Sequence, residues 1–348
     1  MALVFTELTS ENLHSVEGVL LPYLDRNWSR PFIDEFLEWR FLGTKIMETA
    51  LALDGDRCVA MVNSCSKPHL VEGEKTNVRE TDLWLSLPDF RPFASIRVMQ
   101  MMMKRGQPVC TVTEQEYIRS ILQRLKWQKL PSARQMLLPL RGRTAIKAIA
   151  KKLNKTVVGV PAAVAWPLGF RIGGPKLQPA PASGATVKEI EHAADLPEIL
   201  PPASEYSVMP LADRDHFEWY AAAPAAMGDF LWLEFAIDGE PIAITVSRVY
   251  PEGGCMGGKL LHVQSTKTDV ESYAWILGET SAQISARGAD WIDARFTCSK
   301  VSDALAKIGY MAGGPDTPFW SSTGEPIDGD RAFVSTLFRG EGLEPYPA

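Results

Sequence analysis

The chain has 348 residues, a formal net charge of −6, and 46% hydrophobic against 22% charged residues. That length favours two domains, each with enough apolar residues to bury its own core. The acidic balance argues against a dedicated nucleic-acid binder, which would carry a basic face.

Cysteine usage and the absence of targeting signals narrow the class further. Cys58, Cys65, Cys110, Cys255 and Cys298 are odd in number, and no two stand at C-x-x-C spacing. A reducing, cytoplasmic setting fits better than a disulfide framework, and no metal site is expected. The N-terminal run MALVFTELTSENLH lacks the basic stretch of a signal peptide. The longest uncharged stretch, Thr156 to Phe170, is broken by Pro161 and Pro167 and is too short to span a bilayer.

The first half reads, in chain order, as an opening strand, VFTEL, and a helix from Ser10. A short helix then carries Glu38 and Trp39, and a hairpin turns at Asp54-Gly55. A strand from Thr81 to Leu87 leads into a long helix from Pro92 to Arg105, stopped by Gly106. Met101, Met102 and Met103 read as core filler of that helix. A buried strand follows from Pro108 to Val112, then a helix from Glu116 to Lys126 and a closing strand.

Between the halves, Arg141 to Lys155 holds six basic and no acidic residues around Ile146, Ile149 and Leu153, a basic amphipathic helix. It suits contact with an anionic membrane surface or substrate; a solvated linker helix is the simpler reading. Pro175 to Gly184 reads as linker.

The second half repeats the series. TVKEIE is the opening strand, followed by a helix from Asp195. The short helix carries Glu218 and Trp219, and the hairpin turns at Asp238-Gly239. Gly253 to Gly258 is a glycine-rich hairpin loop with no helix after it, so it is not a phosphate cradle. A strand from Lys259 to Ser265 precedes a helix from Val270 to Arg287, stopped by Gly288; a strand from Trp291 to Phe296, a helix from Lys300 to Ile308 and a closing strand complete the set. The hairpins match at an offset of 184, the Glu-Trp pairs at 180, Asp89 and Asp269 at 180, and VCTVTEQEYIRSILQRLKW and IDARFTCSKVSDALAKIGY at 183. Matching landmarks in one order imply an internal duplication. The expected units are 1–140, a basic helix and Pro-rich linker at 141–183, and 184–340. Each is an α+β domain with a mixed, mostly antiparallel sheet flanked by helices and closed by its own last strand.

This order of elements resembles the GNAT acyltransferase fold. Gly309-Tyr310, ending SDALAKIGY, resembles a helix ending common in that family, and Lys126-Trp127 holds the equivalent place. The chain is thus similar over nearly its whole length to two tandem GNAT-like domains, with diffuse similarity to FemAB-type and exopolysaccharide-associated acyltransferases. The resemblance implies acyl-CoA, acetyl or longer, as cosubstrate and an amine of a small molecule or saccharide precursor as acceptor. It also implies a parted pair of central strands for pantetheine and a turn at a helix N-terminus for pyrophosphate.

In the first half that turn is Arg91-Pro92-Phe93-Ala94-Ser95-Ile96. It keeps the cation and a small residue but has Ile96 where glycine or alanine is expected. Leu85, Leu87, Arg91, Ala94 and Ser95 are therefore the expected donor-binding residues. In the second half the place is Lys267-Thr268-Asp269-Val270-Glu271-Ser272, where two carboxylates oppose phosphate and Asp269 reads as an N-cap. The tyrosine that serves as acid in the family is replaced by Leu122 and Leu305, with Tyr117 a weak substitute. Asp82 and His262, equivalent strand positions, are the candidate bases; plain strand residues are the competing reading for both. Glu234, in LWLEFAI, stands outward on its strand or in the cleft between halves.

Walker, G-x-S-x-G and H-E-x-x-H strings are absent. Arg339-Gly340-Glu341-Gly342 resembles the phosphate turn but precedes no helix and reads as tail. Two alternatives stay open beside N-acyl transfer. One is a binding or scaffold protein that kept the fold without catalysis. The other is a FemAB-like aminoacyl transferase, supported only by the basic helix.

Overall fold

In the computed structural model, residues 3–24, 28–91, 93–112, 116–141, 174–252, 255–314, 316–322 and 327–335 are described. The basic segment after Arg141 and the Arg339 to Gly342 string lie outside them. The first half contains β1 (Val4–Glu7), α1 (Glu17–Leu24), α2 (Arg30–Leu37), β2 (Met47–Asp54), β3 (Arg57–Val71), β4 (Glu74–Ser86), α3 (Phe93–Met103), β5 (Val109–Val112), α4 (Glu116–Arg124) and β6 (Gln128–Pro139). The second contains β7 (Ala185–Glu189), β8 (Val208–Pro210), α5 (Arg214–Ala221), β9 (Asp229–Ile237), β10 (Glu240–Glu252), β11 (Cys255–Ser265), α6 (Val270–Ala286), β12 (Trp291–Phe296), α7 (Ser299–Lys307), β13 (Met311–Ala312) and β14 (Thr317–Ser321).

Local chemistry explains the boundaries. The two residues between β9 and β10 are Asp238 and Gly239, both at positive φ (51° and 84°), the turn that matches strand twist. Asp269 caps α6, its carboxylate accepting from the Ser272 amide (2.8 Å) and hydroxyl (2.7 Å). Asp89 instead lies in a short 3-10 turn, Pro88–Phe90, ahead of α3. The helix expected from Asp195 is reduced to a 3-10 turn, Ala193–Asp195. Pro197, Pro201 and Pro202 follow and cannot continue a helix. The glycine-rich loop is shorter than expected, because β11 already begins at Cys255. Side chains at Gly257 and Gly258 would meet the Tyr250 ring and Ile284 at under 3 Å.

The ends of α4 and α7 share one geometry. Trp127 N–H donates to Leu122 O (3.0 Å) and Tyr310 N–H to Leu305 O (2.9 Å). Lys126 N–H donates to Gln123 O (3.0 Å) and Gly309 N–H to Ala306 O (3.1 Å). Both are Schellman endings, whose left-handed residue is usually glycine. Gly309 meets the requirement at φ 108°, whereas exposed Lys126 adopts φ 60° with a side chain.

Among the described residues, fourteen strands form one sheet, with main path β1-β2-β3-β4-β5-β14-β6-β12-β11-β10-β9-β7; β8 pairs β3 and β13 pairs β6. The closing strands depart from the expectation that each half ends its own sheet. Arg134 to Pro139 of β6 pair with β12, so the first half's last strand extends the second half's sheet. In return, β14 inserts between β5 and β6. Trp320 of β14 is buried in the core of α3 and α4, while Met136 and Leu138 of β6 join the core around α6 and α7. Such pairing is set by contacts distant in sequence, which periodicity within a strand does not encode.

A second link lies at the centre. Trp39, just after α2, and Trp219, in α5, stack with centroids 4.8 Å apart and an 11° interplanar angle. Each indole N–H donates to the other residue's carbonyl, Trp39 to Trp219 O (2.8 Å) and Trp219 to Trp39 O (3.1 Å). Both rings are buried, and the Arg40 guanidinium lies 5.3 Å from the Trp219 centroid. The pair joins α2 and α5 in one core with Phe36, Leu37, Phe217 and Tyr220.

Trp219→Ala should lower unfolding free energy by about 3–5 kcal/mol in chemical denaturation, from lost area and a residual cavity. Lys126→Gly should raise it by about 0.5–1 kcal/mol by relieving the left-handed side-chain penalty. Unchanged stability in either variant would contradict these assignments.

Candidate active site

β4 and β5 run parallel, as do β11 and β12, and each pair is matched only briefly. Arg79 to Thr81 pair with Val109 to Thr111, after which β5 ends and β4 continues to Ser86. Beyond this point β4 is irregular. Met61 pairs with Leu85 and Asn63 with Asp82, so Leu83 and Trp84 oppose Val62 alone. Leu83 stands at φ 42°, a left-handed conformation that a leucine adopts only under constraint from its surroundings. Bulges of this kind re-aim side chains and backbone groups beside sites.

Four of the expected donor residues come together at the free end of β4. A cavity of about 150 Å³ is walled by Trp84, Leu85, Leu87, Arg91 and Ser95, with α1 and Ile118 of α4 closing it. The Trp84 indole N–H donates to Ser95 O (3.1 Å), tying the strand end to α3. Leu87 N–H donates to Val59 O of β3 (2.9 Å), so the alternating backbone of Ser86 faces away from β3. Arg91 Nε donates to Ser86 O (3.1 Å) and Oγ (3.2 Å), holding the guanidinium at the cavity rim. Ala94 is wholly buried in the α3–α4 core and does not line this cavity. The first turn of α3 has no acidic residue, so its N-terminal partial positive charge is not neutralised from within the helix. Asp82 lies at the bulge by its backbone pairing.

A cluster that sequence reasoning missed lies two residues before Asp82. Glu80, on the β4 face opposite Arg79, pairs with buried Lys67 Nζ (2.5 Å) and His69 Nε2 (3.0 Å), both from β3. His69 Nδ1 lies 3.2 Å from Lys67 O. Burial opposes ionisation of Glu80, but Lys67 and His69 outweigh it and hold its pKa down to about 2. Burial lowers the pKa of Lys67 against the pull of Glu80. The available signal was the inward spacing of Lys67, His69 and Glu80 on strands otherwise rich in apolar residues. Glu80, His69, Cys110 and Thr111 line a second cavity of about 20 Å³ beside the paired stretch of β4 and β5, just before the two strands part.

His262 stands close to this cluster, within electrostatic reach of Lys67, Glu80 and His69, its ring edge-on to Phe333 of the second cavity (centroids 5.9 Å). His262 is fully buried on β11, with Nδ1 2.9 Å from Ser335 Oγ and Nε2 3.4 Å from Gln264 Oε1. Burial depresses its pKa to about 3, so the ring is neutral at pH 7. Glu234 pairs with Lys188 of β7 (3.3 Å). A neighbouring chain of contacts joins Asp213 Oδ1 to His216 Nδ1 (2.6 Å) and His216 Nε2 to Cys65 Sγ (3.3 Å). Burial pushes the Cys65 thiol up to about 12, the state of an inert core thiol. At the second half's equivalent helix, Asp269 and Glu271 place fixed negative charge in the first turn of α6. Leu122 and Leu305 are both fully buried in helix cores.

These shifts set an acid limit on stability. The folded pKa of His262 is about 3 against 6.5 unfolded, so its contribution is present above 6.5 and is lost as pH falls towards 3. Glu80 acts in the same direction between 4.5 and about 2. Melting temperature should therefore fall steadily on acidification below about pH 6.5. His262→Gln should flatten the upper part of that slope; an unchanged slope would contradict a neutral buried His262.

No family model matches the sequence, and no curated protein does. Solved structures do match in fold. N-myristoyltransferase of Saccharomyces cerevisiae, with bound myristoyl-CoA, superposes with a TM-score of 0.57 at 10% identity, covering 95% of this chain and 88% of that one. A probable N-acyltransferase of Enterococcus faecalis gives 0.55 at 9% identity, covering 95% and 74%. A GCN5-related N-acetyltransferase of Anabaena variabilis gives 0.56 at 8% identity, covering 92% and 72%. With their mixed, mostly antiparallel sheet, flanking helices and parted parallel strands, these residues adopt the GNAT-like acyl-CoA N-acyltransferase fold.

Proposed function

We propose that the chain is an acyl-CoA-dependent N-acyltransferase built from two unequal copies of one unit, near 1–140 and 184–340. The observation that carries the activity is the cavity at the free end of β4, where Leu85, Leu87, Arg91 and Ser95 meet beside an α3 N-terminus without acid. Pantetheine would pair with the outward backbone at Ser86, and Arg91 would turn from Ser86 to the pyrophosphate. The second copy serves as scaffold, because Asp269 and Glu271 oppose phosphate there. The Trp39–Trp219 pair and the matching ends of α4 and α7 support the duplication.

In the reaction, the amine nitrogen attacks the thioester carbonyl carbon. The C–N bond forms, the C–S bond breaks, the amine loses a proton and the CoA thiolate gains one. Backbone N–H groups turned out of the ladder at Leu83 would polarise the carbonyl oxygen. Asp82, at the bulge, is the proposed base. His262 is the second candidate, weakened as a base by its depressed pKa. The five cysteines with no disulfide among them fit a reducing, cytoplasmic setting.

The second reading is a binding or scaffold protein without catalysis. It is favoured by Leu122 and Leu305, packed in the cores where the family's acid would stand.

Titration calorimetry with acetyl-CoA and longer acyl-CoAs should show binding, and Arg91→Ala should weaken it about tenfold or more, the worth of a charge-assisted contact. No binding at millimolar ligand would refute the transferase reading. Function that survives Arg91→Ala intact would favour the scaffold.

A further inference from the structure

We propose that the cavity at Glu80 and His69 is the acceptor site, and that it takes a primary amine on an unbranched methylene carbon carried by an uncharged, apolar body. The proposal rests on the acyl-transfer reading and names its substrate class. Position is the first argument. Glu80 and Thr81 wall this cavity, while Trp84, Leu85 and Leu87 wall the donor cavity, with the Asp82–Leu83 irregularity between. Three strand residues span about 10 Å, so a thioester and an amine reaching in from the two cavities meet at the bulge.

Charge is the second argument. Glu80 is only 8% exposed, yet its carboxylate borders the cavity. A carboxylate accepts at about four lone-pair sites, of which Lys67 and His69 use one each. It is thus held in one orientation and can still accept from an amine. The amine N–H groups would donate to Glu80 while the nitrogen lone pair points towards Leu83.

Size and lining give the class. A cavity needs about 10–15 Å³ to hold one water. At about 20 Å³, this one admits an amino nitrogen and the carbon that bears it. A second substituent on either atom overfills it. The remaining wall is apolar, from Leu130, Val208, Phe319, Phe333 and Val334. The body beyond that carbon would pack along these apolar residues, where hydroxyls or a second ammonium would lose water for few replacement partners. Amino sugars, polyamines and secondary amines are therefore disfavoured against simple aliphatic or aralkyl amines.

The test follows thiol release from acetyl-CoA by the full chain, with acetyl-CoA binding measured separately by calorimetry. Butylamine and phenethylamine should give saturable turnover. N-Methylphenethylamine, α-methylphenethylamine, glucosamine and spermidine should fall at least tenfold in kcat/KM. Val334→Leu, which adds one methylene at the cavity, should raise the KM for butylamine tenfold or more while leaving acetyl-CoA binding unchanged. Glu80→Gln should abolish turnover; if that variant does not fold, Val334→Leu decides. Intact acetyl-CoA binding with equal or better rates for glucosamine or the N-methyl amine, with no turnover of any amine, or with an unaltered Val334→Leu KM, would overturn this proposal alone. Absent acetyl-CoA binding would overturn both it and the transferase reading.

Discussion

The two halves are held in one arrangement by the reciprocal contact of Trp39 and Trp219. Each indole stacks on the other and donates to the other's carbonyl, so neither can rotate without leaving a buried N–H unpaired. The stack adds about 0.5–1.5 kcal/mol beyond buried area. Its larger effect is geometric: it sets α2 against α5 and draws both halves into one apolar core. The exchanged strands β6 and β14 then have a defined path across the join.

Within this arrangement the two halves differ in charge at one helix start. The same helix position carries Arg91 ahead of an acid-free turn in one half and Asp269 with Glu271 in the other. The interior between the halves gathers charged and polar groups that burial would otherwise exclude, with Lys67, His69 and Glu80 satisfying one another and His262 held neutral. A buried pair of this sort is weak evidence for stability, since desolvation offsets much of its attraction. It lies just before β4 and β5 part, at the cavity that Cys110 and Thr111 also line.

Local signals were the legible part of the sequence. The Asp238-Gly239 turn, the Asp269 cap, the glycines ending the long helices and the α+β order all follow from residue chemistry within a few positions. The 180-residue spacing of the two Glu-Trp pairs pointed to residues that meet at the centre of the fold, although nothing in the spacing showed that the rings touch. That Leu85, Leu87, Arg91 and Ser95 meet at one cavity was legible because one strand end and one helix start carry them all.

What was hidden depends on contacts distant in sequence. The exchange of β6 and β14 is decided by pairing between residues about 150 to 210 positions apart, and both strands would read the same in either sheet. The helix expected after Asp195 failed because three prolines outweighed the repeat. Glu80 stands just ahead of the strand expected from Thr81 to Leu87, and nothing in its local sequence singles it out. Only the fold shows it buried against Lys67 and His69.

The most direct test is amide hydrogen exchange on the full chain with and without acetyl-CoA. The account predicts added protection confined to residues 83–95, with the equivalent α6 start at 266–275 unaffected. Protection at 266–275 instead, or none in either segment at saturating ligand, would contradict a donor site in the first half.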